Sequence, residues 1–502
     1  MRTVKTTMAF CLGCLMAGSA LAGVSAEEAA RLGQDLTPMG AEMAGNADGS
    51  IPAWNPAGVS VPANFVPGSD NYINPFPDEE PLYTIDESNW EEYAQYLTEG
   101  TKSAFERMGS KGFAINVYPT KRSFQAPDWL YANNVKNATG ATLTEGGQKV
   151  EGNYPGVPFP LPQTALEVLW NHLIRYQEDF SLEYDVYYVG SNGKAILATT
   201  ASTASKYPMY STPDQVVGDT PWLLLRINYT APARRAGEIL LVHEPGADYT
   251  EGKGRKAWQY LTGQRRVRLA PAVSFDTPNP AVAGTSTYDD FTIFNGSPER
   301  YNWTLLGKKE MIVPYSNYDF LFQQNVEDML GEHFLKPDYI RWEKHRVWVI
   351  EANLKPGQRH LYAKRRYYID EDSWTALAGE VYDGRDTLWR VQYAYSAQLY
   401  DRTSMYAACY GGYDLLQGIY NINTKPIPGK FQNGVTQGDQ YFTPKGMARG
   451  GVRWRHGRRS RWPGSGCRGA RGRHREAEAR IRRAHAAGSC PGCFPRQGSG
   501  SR

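Results

Sequence analysis

Residues 255–315 read RKAWQYLTGQRRVRLAPAVSFDTPNPAVAGTSTYDDFTIFNGSPERYNWTLLGKKEMIVPY. The stretch begins with a strand pattern and continues, after a Thr-Gly turn, into an alternating basic run at 264–269. A polar segment rich in Pro, Gly, Ser and Thr follows, then the paired acids Asp289 and Asp290, and a second strand pattern at 308–313. This alternation predicts half-buried sheet rather than a catalytic loop.

The same strand pattern fills most of the chain after residue 181, where about ten strand segments follow one another. Turn signals separate many of them. The strongest is Asp383-Gly384, because glycine accepts the positive φ of a tight hairpin. Such short links leave no room for crossover helices, so neighbouring strands are expected to pair antiparallel. The prediction is a mainly β protein with some α structure, built on a large curved antiparallel sheet or barrel.

Helices are predicted at a few places outside the strands. Residues 86–108 have one apolar side with a break near Gly100, and residues 317–331 form a helical interruption of the sheet. Residues 164–177 are predicted to begin with a capping box between Thr164 and Glu167. The histidine in that helix, His172, is interpreted as a packed or surface residue rather than a metal ligand.

The chain is predicted to have one sheet domain wrapped by its N-terminal part. Residues 23–160 are expected to form a loop-rich and helical wrap that is continuous with the sheet domain at 161–453. The first 22 residues resemble a secretory signal, with a basic start, an apolar run and small residues before Ala22 or, alternatively, Ala26. We therefore expect export, with cleavage near one of these residues and no transmembrane span in the mature protein.

The formal net charge of +3 hides two opposite parts. Residues 451–502 contain 14 Arg and two acids, whereas residues 23–450 contain 39 basic and 50 acidic residues and carry −11. An acidic body argues against nucleic acid as a partner. The Arg-, Gly- and Ala-rich tail, 454–502, is predicted to be disordered and is interpreted as a frameshift extension, so its Cys490-Pro491-Gly492-Cys493 is discounted.

No catalytic motif, cofactor motif or metal-binding spacing is found in the sequence. The body has five histidines, none in an HxxxH or HxH arrangement, and there is no GxSxG or phosphate-binding loop. We therefore predict no catalytic residues, no metal and no cofactor. The lone body cysteine, Cys409, is expected to be buried as a small apolar residue.

The acid pair Asp289-Asp290 is predicted to be structural. Adjacent strand residues point to opposite faces, so the two carboxylates are not expected to act together. The expected role is a buried ion pair between Asp290 and one of the nearby arginines, Arg265, Arg266 or Arg268.

Six segments carry a resemblance to a known family: LTPMGAEMAGNADGSIPAW (36–54), VYPTKR (117–122), YPGVPFP (154–160), WNHLIRY (170–176), AWQYLTGQRRVRLAP (257–271) and GKKEMIVPY (307–315). They resemble exported Gram-negative proteins of the domain of unknown function 1329 family, over residues 26–453. Members of that family commonly end near GGVR, 450–453, which agrees with the interpretation of the tail.

The family is similar to the periplasmic lipoprotein-carrier and lipoprotein-sorting superfamily. The resemblance implies a periplasmic location and a strongly curved antiparallel sheet, an unclosed half-barrel whose concave side is covered by helices. In those carriers the hollow holds acyl chains. The resemblance also implies an outer-membrane β-barrel protein and a resistance-nodulation-division exporter as partners, and it supplies no catalytic residues.

The first hypothesis is a periplasmic carrier for a lipid, a lipoprotein acyl chain or another hydrophobic molecule, acting in outer-membrane traffic or export. A tightly filled interior or a flat sheet would contradict it. The residues expected to form the cavity wall are Trp258, Tyr260, Leu225, Ile227, Ile239 and Leu241. A second hypothesis is a non-enzymatic envelope scaffold that docks on an outer-membrane barrel through an edge strand. A third is a hydrolase that uses Asp290 and a nearby histidine.

Overall fold

The structure is a computed structural model that describes residues 23–450, apart from residues 70, 271–275, 283 and 435–436. The predicted signal segment and the predicted tail lie outside the described residues. No helix in the described part of the chain combines the length and the apolar character needed to cross a membrane.

Seventeen strands occur in the described residues, and fifteen of them form one sheet, while β3 and β4 pair separately. Their bounds are β1 Tyr83–Ile85, β2 Ile115–Val117, β3 Thr142–Thr144, β4 Lys149–Glu151, β5 Phe180–Val189, β6 Ala195–Lys206, β7 Leu223–Ala231, β8 Ile239–Glu244, β9 Lys256–Leu261, β10 Arg266–Leu269, β11 Tyr301–Pro314, β12 Arg341–Leu354, β13 Lys364–Asp370, β14 Ala376–Tyr382, β15 Leu388–Leu399, β16 Ser404–Asp414 and β17 Ile419–Asn433.

The large sheet consists of two antiparallel meanders, β5 to β10 and β11 to β17, joined by the pairing of β17 with β5. The short β2 adds a parallel contact with the start of β12, so the sheet is mixed. Its ends do not pair with each other among the described residues, and the sheet is not closed into a barrel. The predicted mainly β fold with an unclosed sheet is confirmed. The hairpin at Asp383-Gly384 between β14 and β15 is also present, but the residue with positive φ in its turn is Asp386, at 61°, rather than Gly384.

The short strands β1, β3 and β4 and the long strands β16 and β17 were not predicted, and β11 is longer than predicted. β16 is rich in Ala and Gly, and β17 contains Pro426 and Pro428 and changes register between Pro426 and Phe431. Proline cannot donate to a strand ladder, so this segment does not show an ordinary strand pattern. β11 begins at Tyr301, whereas the prediction began at residue 308. The first half of β11 alternates between exposed and half-buried positions along the sheet edge and has few buried residues.

The α-helices are short, and their bounds are α1 Ala26–Ala29, α2 Glu99–Met108, α3 Asp128–Gly140, α4 Ala165–Leu173, α5 Val326–Met329 and α6 Pro444–Gly450. The predicted helix at 86–108 is a 3₁₀ helix at Trp90–Tyr96 followed by α2. The predicted helix at 317–331 is a π-helix at Asp319–Gln323 followed by α5. The capping box of α4 is confirmed, although the helix ends at Leu173.

Both faces of the sheet are covered. We call the face that carries Leu225 and Tyr367 the inner face, and the opposite one the outer face. α2 covers part of the outer face, where the Thr101 and Tyr393 hydroxyls lie 2.7 Å apart. α4 packs against β11 and β12, and its Trp170 indole donates to the carbonyl of Gly147 at 2.9 Å. The part of the interior next to α4 is therefore filled by protein.

His172 is a packed core residue, as the sequence indicated. Its Nδ1 accepts the Ala376 N–H at 3.1 Å and its Nε2 donates to the carbonyl of Phe294 at 3.0 Å. Burial lowers the pKa of His172 to about 3, so the imidazole is neutral.

Candidate functional site

A hollow lies on the inner face beside β7 and β8, away from α4. The pairing of Leu225 with Val242 and of Ile227 with Leu240 places these four aliphatic side chains on one face. Aromatic rings from other strands of the sheet, among them β5 and β16, complete the wall. The apolar and aromatic lining consists of Tyr184, Leu225, Ile227, Tyr229, Leu240, Val242, Ala281, Tyr288, Phe291 and Tyr410.

One ion pair supplies charge to this hollow. The Arg255 Nε lies 2.6 Å from Glu244 Oε1, and the Arg255 guanidinium also donates to the carbonyls of Tyr288 and Asn295 at 3.2 and 2.6 Å. Burial raises the pKa of Glu244 above its ordinary value, although Arg255 beside it acts in the opposite direction. Because the charge of Arg255 is paired with Glu244 and three of its N–H groups are already engaged, the apolar wall dominates the described part of the site.

The hollow is small, with a volume of about 70 Å³. Typical ligand pockets measure about 300–1,000 Å³. The observed space therefore accommodates a few atoms, and a larger ligand needs the structure that covers the hollow to move.

The cover of the hollow is residues 276–300, which we call the covering segment and which is described except for residue 283. It contains three 3₁₀ turns, and its residues Ala281, Tyr288 and Phe291 contact the hollow. Thr292 and Ile293 have φ of 50° and 73°. β-Branched residues rarely adopt this left-handed region, so contacts elsewhere in the protein must hold this conformation.

The acid pair fastens the covering segment to β13. Arg365 donates to Asp289 Oδ2 at 2.7 Å and to Asp290 Oδ1 at 2.8 Å, and all three residues are at most 2% exposed. Asp290 also accepts the Tyr362 hydroxyl at 2.8 Å, and His360 Nε2 lies 3.0 Å from Asp289 Oδ2. The two carboxylates thus act together as one anchor.

The prediction that Asp290 pairs with Arg265, Arg266 or Arg268 is wrong. These three arginines lie in the exposed β9–β10 turn and on β10, whereas Asp290 is fully buried against Arg365. The prediction that the two acids diverge is also wrong. It assumed a strand, but Tyr288–Asp290 is a 3₁₀ turn, which brings both carboxylates to the same guanidinium.

The six predicted wall residues are divided between the two faces. Leu225 and Ile227 line the hollow. The other four lie on the outer face, and they are Trp258, Tyr260, Ile239 and Leu241. They pack around Phe442 and Met447 of the C-terminal segment, so their assignment to the hollow is wrong. The residues that line the hollow on β8 are Leu240 and Val242, one position along from those predicted.

The geometry around the acid pair does not favour hydrolysis. Burial acts to raise the pKa of Asp289, but Arg365 and His360 together hold it below its ordinary range. A carboxylate with a depressed pKa is a poor general base near neutrality. Asp290 is 0% exposed, so a substrate could not reach it in this conformation.

Solved structures with a similar chain path come from several bacteria. A crystal structure of a DUF1329 family protein from Desulfovibrio piger matches with a TM-score of 0.35 and 15% identity, covering 55% of this chain and 93% of that one. A putative outer membrane lipoprotein-sorting protein domain from Vibrio parahaemolyticus gives 0.35 and 15%, covering 54% and 92%. A LolA superfamily protein from Nitrosomonas europaea gives 0.33 and 13%, covering 56% and 98%.

Sequence comparison establishes the family. The uncharacterized protein PA3922 of Pseudomonas aeruginosa is 40% identical over 456 residues, which cover 88% of this chain and 96% of that protein. The family model described as protein of unknown function (DUF1329) matches residues 84–448. The resemblance noted from the sequence is thereby confirmed, and the chain belongs to the DUF1329 family.

Proposed function

We propose that this protein is a periplasmic carrier that binds a hydrophobic molecule, such as a lipid or an acyl chain, in the hollow on the inner face of the sheet. The observation that carries the proposal is the aliphatic wall made by Leu225, Ile227, Leu240 and Val242 and closed by the covering segment. Burial of an acyl chain there contributes about 0.8 kcal/mol per methylene group.

The size of the hollow restricts how a ligand enters. About 70 Å³ does not hold a whole acyl chain, so Tyr288 and Phe291 have to move outward as the chain enters. The covering segment suits such a movement because its left-handed Thr292 and Ile293 are strained, so a change of conformation there releases strain. Filling of the interior next to α4 confines the proposed ligand to the half of the sheet around β7 and β8.

The predicted signal segment supports a periplasmic location. Cleavage after Ala22 or Ala26 would release the body into a compartment where hydrophobic molecules need a carrier between the two membranes. N-terminal sequencing of protein isolated from a periplasmic fraction tests this part. An unprocessed Met1 on membrane-bound protein would contradict it.

Native mass spectrometry of the protein purified from its own host tests the binding function. We expect a hydrophobic molecule bound to the purified protein, and uptake of a fluorescent fatty acid by the protein after delipidation. Protein that is free of ligand and also takes up no fluorescent fatty acid would overturn the proposal.

One observation favours a second function, an envelope scaffold. β10 pairs with β9 alone among the described strands, and its Leu269 is 62% exposed. An exposed edge strand is able to accept a strand from a partner such as an outer-membrane β-barrel protein or an exporter. A photocrosslinker at Leu269 should trap a protein in cells if the scaffold function is correct, and nothing above background if the protein is solely a carrier.

A further inference from the structure

A second cluster of functional groups lies far from the hollow in sequence, at the start of β12 and in the turn between β13 and β14. β12 carries His345, β13 ends at Asp370, and the turn that follows carries Asp372. One ligand atom from each of the three residues lies within 4.8 Å of the others. All three residues are at most 2% exposed, so the cluster is internal.

The imidazole of His345 is held in a defined orientation. Its Nε2 lies 3.0 Å from Glu343 Oε2, and the Tyr315 ring stacks on it with centroids 3.9 Å apart. Glu343 also accepts Arg341 Nε at 2.6 Å, as expected of an ionised carboxylate. Nε2 therefore donates to Glu343, and Nδ1 is the ring nitrogen that faces Asp370 in the cluster. Histidines that bind metals usually donate their other N–H to a carboxylate in this way.

Asp370 presents an oxygen that has no hydrogen-bond donor. Its Oδ2 accepts the Ser373 N–H at 3.0 Å, the Ser373 hydroxyl at 2.6 Å and the Tyr315 hydroxyl at 3.1 Å. Its Oδ1 receives no hydrogen bond from the described part of the chain, although the residue is 0% exposed. This oxygen lies 3.9 Å from His345 Nδ1. A buried acceptor without a donor is costly, which points to a group between the two atoms.

The carboxylate of Asp372 is held in one orientation by Arg122. Arg122 donates to both of its oxygens, at 3.0 and 2.8 Å, so the plane of the carboxylate is set and each oxygen retains a second lone pair. Each of the three ligand residues thus has a partner that orients it, as a second shell does around bound metals.

Several ion pairs surround the cluster. The half-exposed Glu42 and the partly exposed Glu79 are screened by solvent, and the four buried carboxylates Glu343, Asp370, Glu371 and Asp372 face four cationic side chains, Arg122, Lys308, Arg341 and Arg346. Charge alone therefore does not decide what lies between His345 and Asp370, and the separation of 3.9 Å between His345 Nδ1 and Asp370 Oδ1 distinguishes a shared proton from a metal ion. A proton shared between Nδ1 and Oδ1 would draw the atoms to about 2.8 Å. Two bonds of about 2.1 Å to one tetrahedral ion separate the ligand atoms by about 3.4 Å, so binding needs the observed 3.9 Å to close by about 0.5 Å, much less than a shared proton requires.

We propose that His345 Nδ1, Asp370 Oδ1 and a carboxylate oxygen of Asp372 bind one divalent transition-metal ion, Zn²⁺ or Mn²⁺. One imidazole with two carboxylates suits ions of this borderline-to-hard class. The complete burial of the ligands indicates a structural ion rather than a catalytic one, because a substrate has no open position to occupy.

The ion would connect the N-terminal wrap to the sheet. Arg122, which holds Asp372, also donates to the carbonyls of Glu42 and Ala44 at 2.6 and 3.2 Å. An ion that fixes Asp372 therefore also fixes the guanidinium on which residues 42–44 rest. We expect loss of the ion to loosen the N-terminal segment before the sheet.

Metal analysis of the untagged full-length protein tests the site. The protein is refolded with ZnCl₂ or MnCl₂, dialysed, and analysed by inductively coupled plasma mass spectrometry and thermal unfolding. We expect one ion per chain, a higher melting temperature with the ion, and at least a tenfold loss of affinity in Asp370→Asn and His345→Gln. His360→Gln, which changes another buried histidine beside an aspartate, should retain the ion.

X-ray absorption of the metal-loaded wild type keeps the test valid if the ligand variants fail to fold. A shell of nitrogen and oxygen at about 2.1 Å supports the site. Uptake of neither ion, equal uptake in folded wild type and ligand variants, or a shell containing sulfur would overturn it.

Discussion

The Arg365 guanidinium and the Asp290 carboxylate form an ion pair at 2.8 Å in which both residues are 0% exposed. The same guanidinium binds Asp289 at 2.7 Å. A residue of β13 therefore holds the covering segment over the hollow, across 75 positions of sequence.

Replacement of Arg365 should be strongly destabilising. Arg365→Leu leaves two buried carboxylates without their cation, and removing one partner of a buried pair costs about 3–5 kcal/mol. Arg366→Leu is the matched control, because the neighbouring Arg366 is 22% exposed, pairs with Glu351 at 2.8 Å and lies only at 3.9 Å from buried Glu380, so we expect a smaller loss of about 1 kcal/mol. Urea unfolding measures both. Equal losses would contradict the anchor.

Stability should fall on acidification because of His172. Burial lowers the pKa of His172 to about 3 from its ordinary 6.5, so the unfolded chain binds one more proton between these values. The contribution of His172 to the free energy of unfolding is complete above pH 6.5 and is lost as the pH falls toward 3. The free energy of unfolding then changes by up to about 1.4 kcal/mol per pH unit. Unfolding free energies at pH 5, 6 and 7 should show a steeper dependence in the wild type than in His172→Gln. Identical slopes would contradict a neutral buried imidazole.

Features encoded by neighbouring residues were predictable from the sequence. The Thr164–Glu167 capping box and the Asp383-Gly384 hairpin depend on residues a few positions apart, and both are present. The serial antiparallel pairing followed from short links between strands. These predictions required no knowledge of distant contacts.

The candidate site was predicted in part, because its details depend on faces and on distant partners. Residues 239–242, Ile-Leu-Leu-Val, are all apolar, so alternation gave no sign of which pair faces inward. Asp290 could pair with an arginine close in sequence or with a distant one. Its pairing with Arg365 depends on how β13 lies beside the covering segment. The adjacent basic residues Arg365 and Arg366 on an aromatic strand were the sequence signal that could have suggested it.

Gly40 should tolerate no side chain. It has φ of 92°, and a Cβ there would lie 1.9 Å from the carbonyl oxygen of Pro160. Gly49 also has a positive φ, 76°, but a Cβ there meets nothing within 4 Å. Gly49→Ala should cost about 1 kcal/mol from its backbone conformation alone, and Gly40→Ala clearly more, because the wrap must shift away from residue 160. Thermal unfolding of the two variants compares them, and similar melting temperatures would contradict this close approach.

Two adjacent residues of β8 should respond in opposite ways to the same substitution. Val242 lines the hollow, whereas Leu241 is fully buried in the outer-face cluster with Phe442 and Met447. Phenylalanine at 242 can extend into the free volume, so Val242→Phe should keep near wild-type stability but block uptake of a fluorescent fatty acid. Leu241→Phe should lose about 1–3 kcal/mol by overpacking and retain uptake when folded. Thermal unfolding and fluorescence titration of both variants measure these effects. Uptake that is blocked by Leu241→Phe and unaffected by Val242→Phe would place the ligand on the outer face and contradict the assigned hollow.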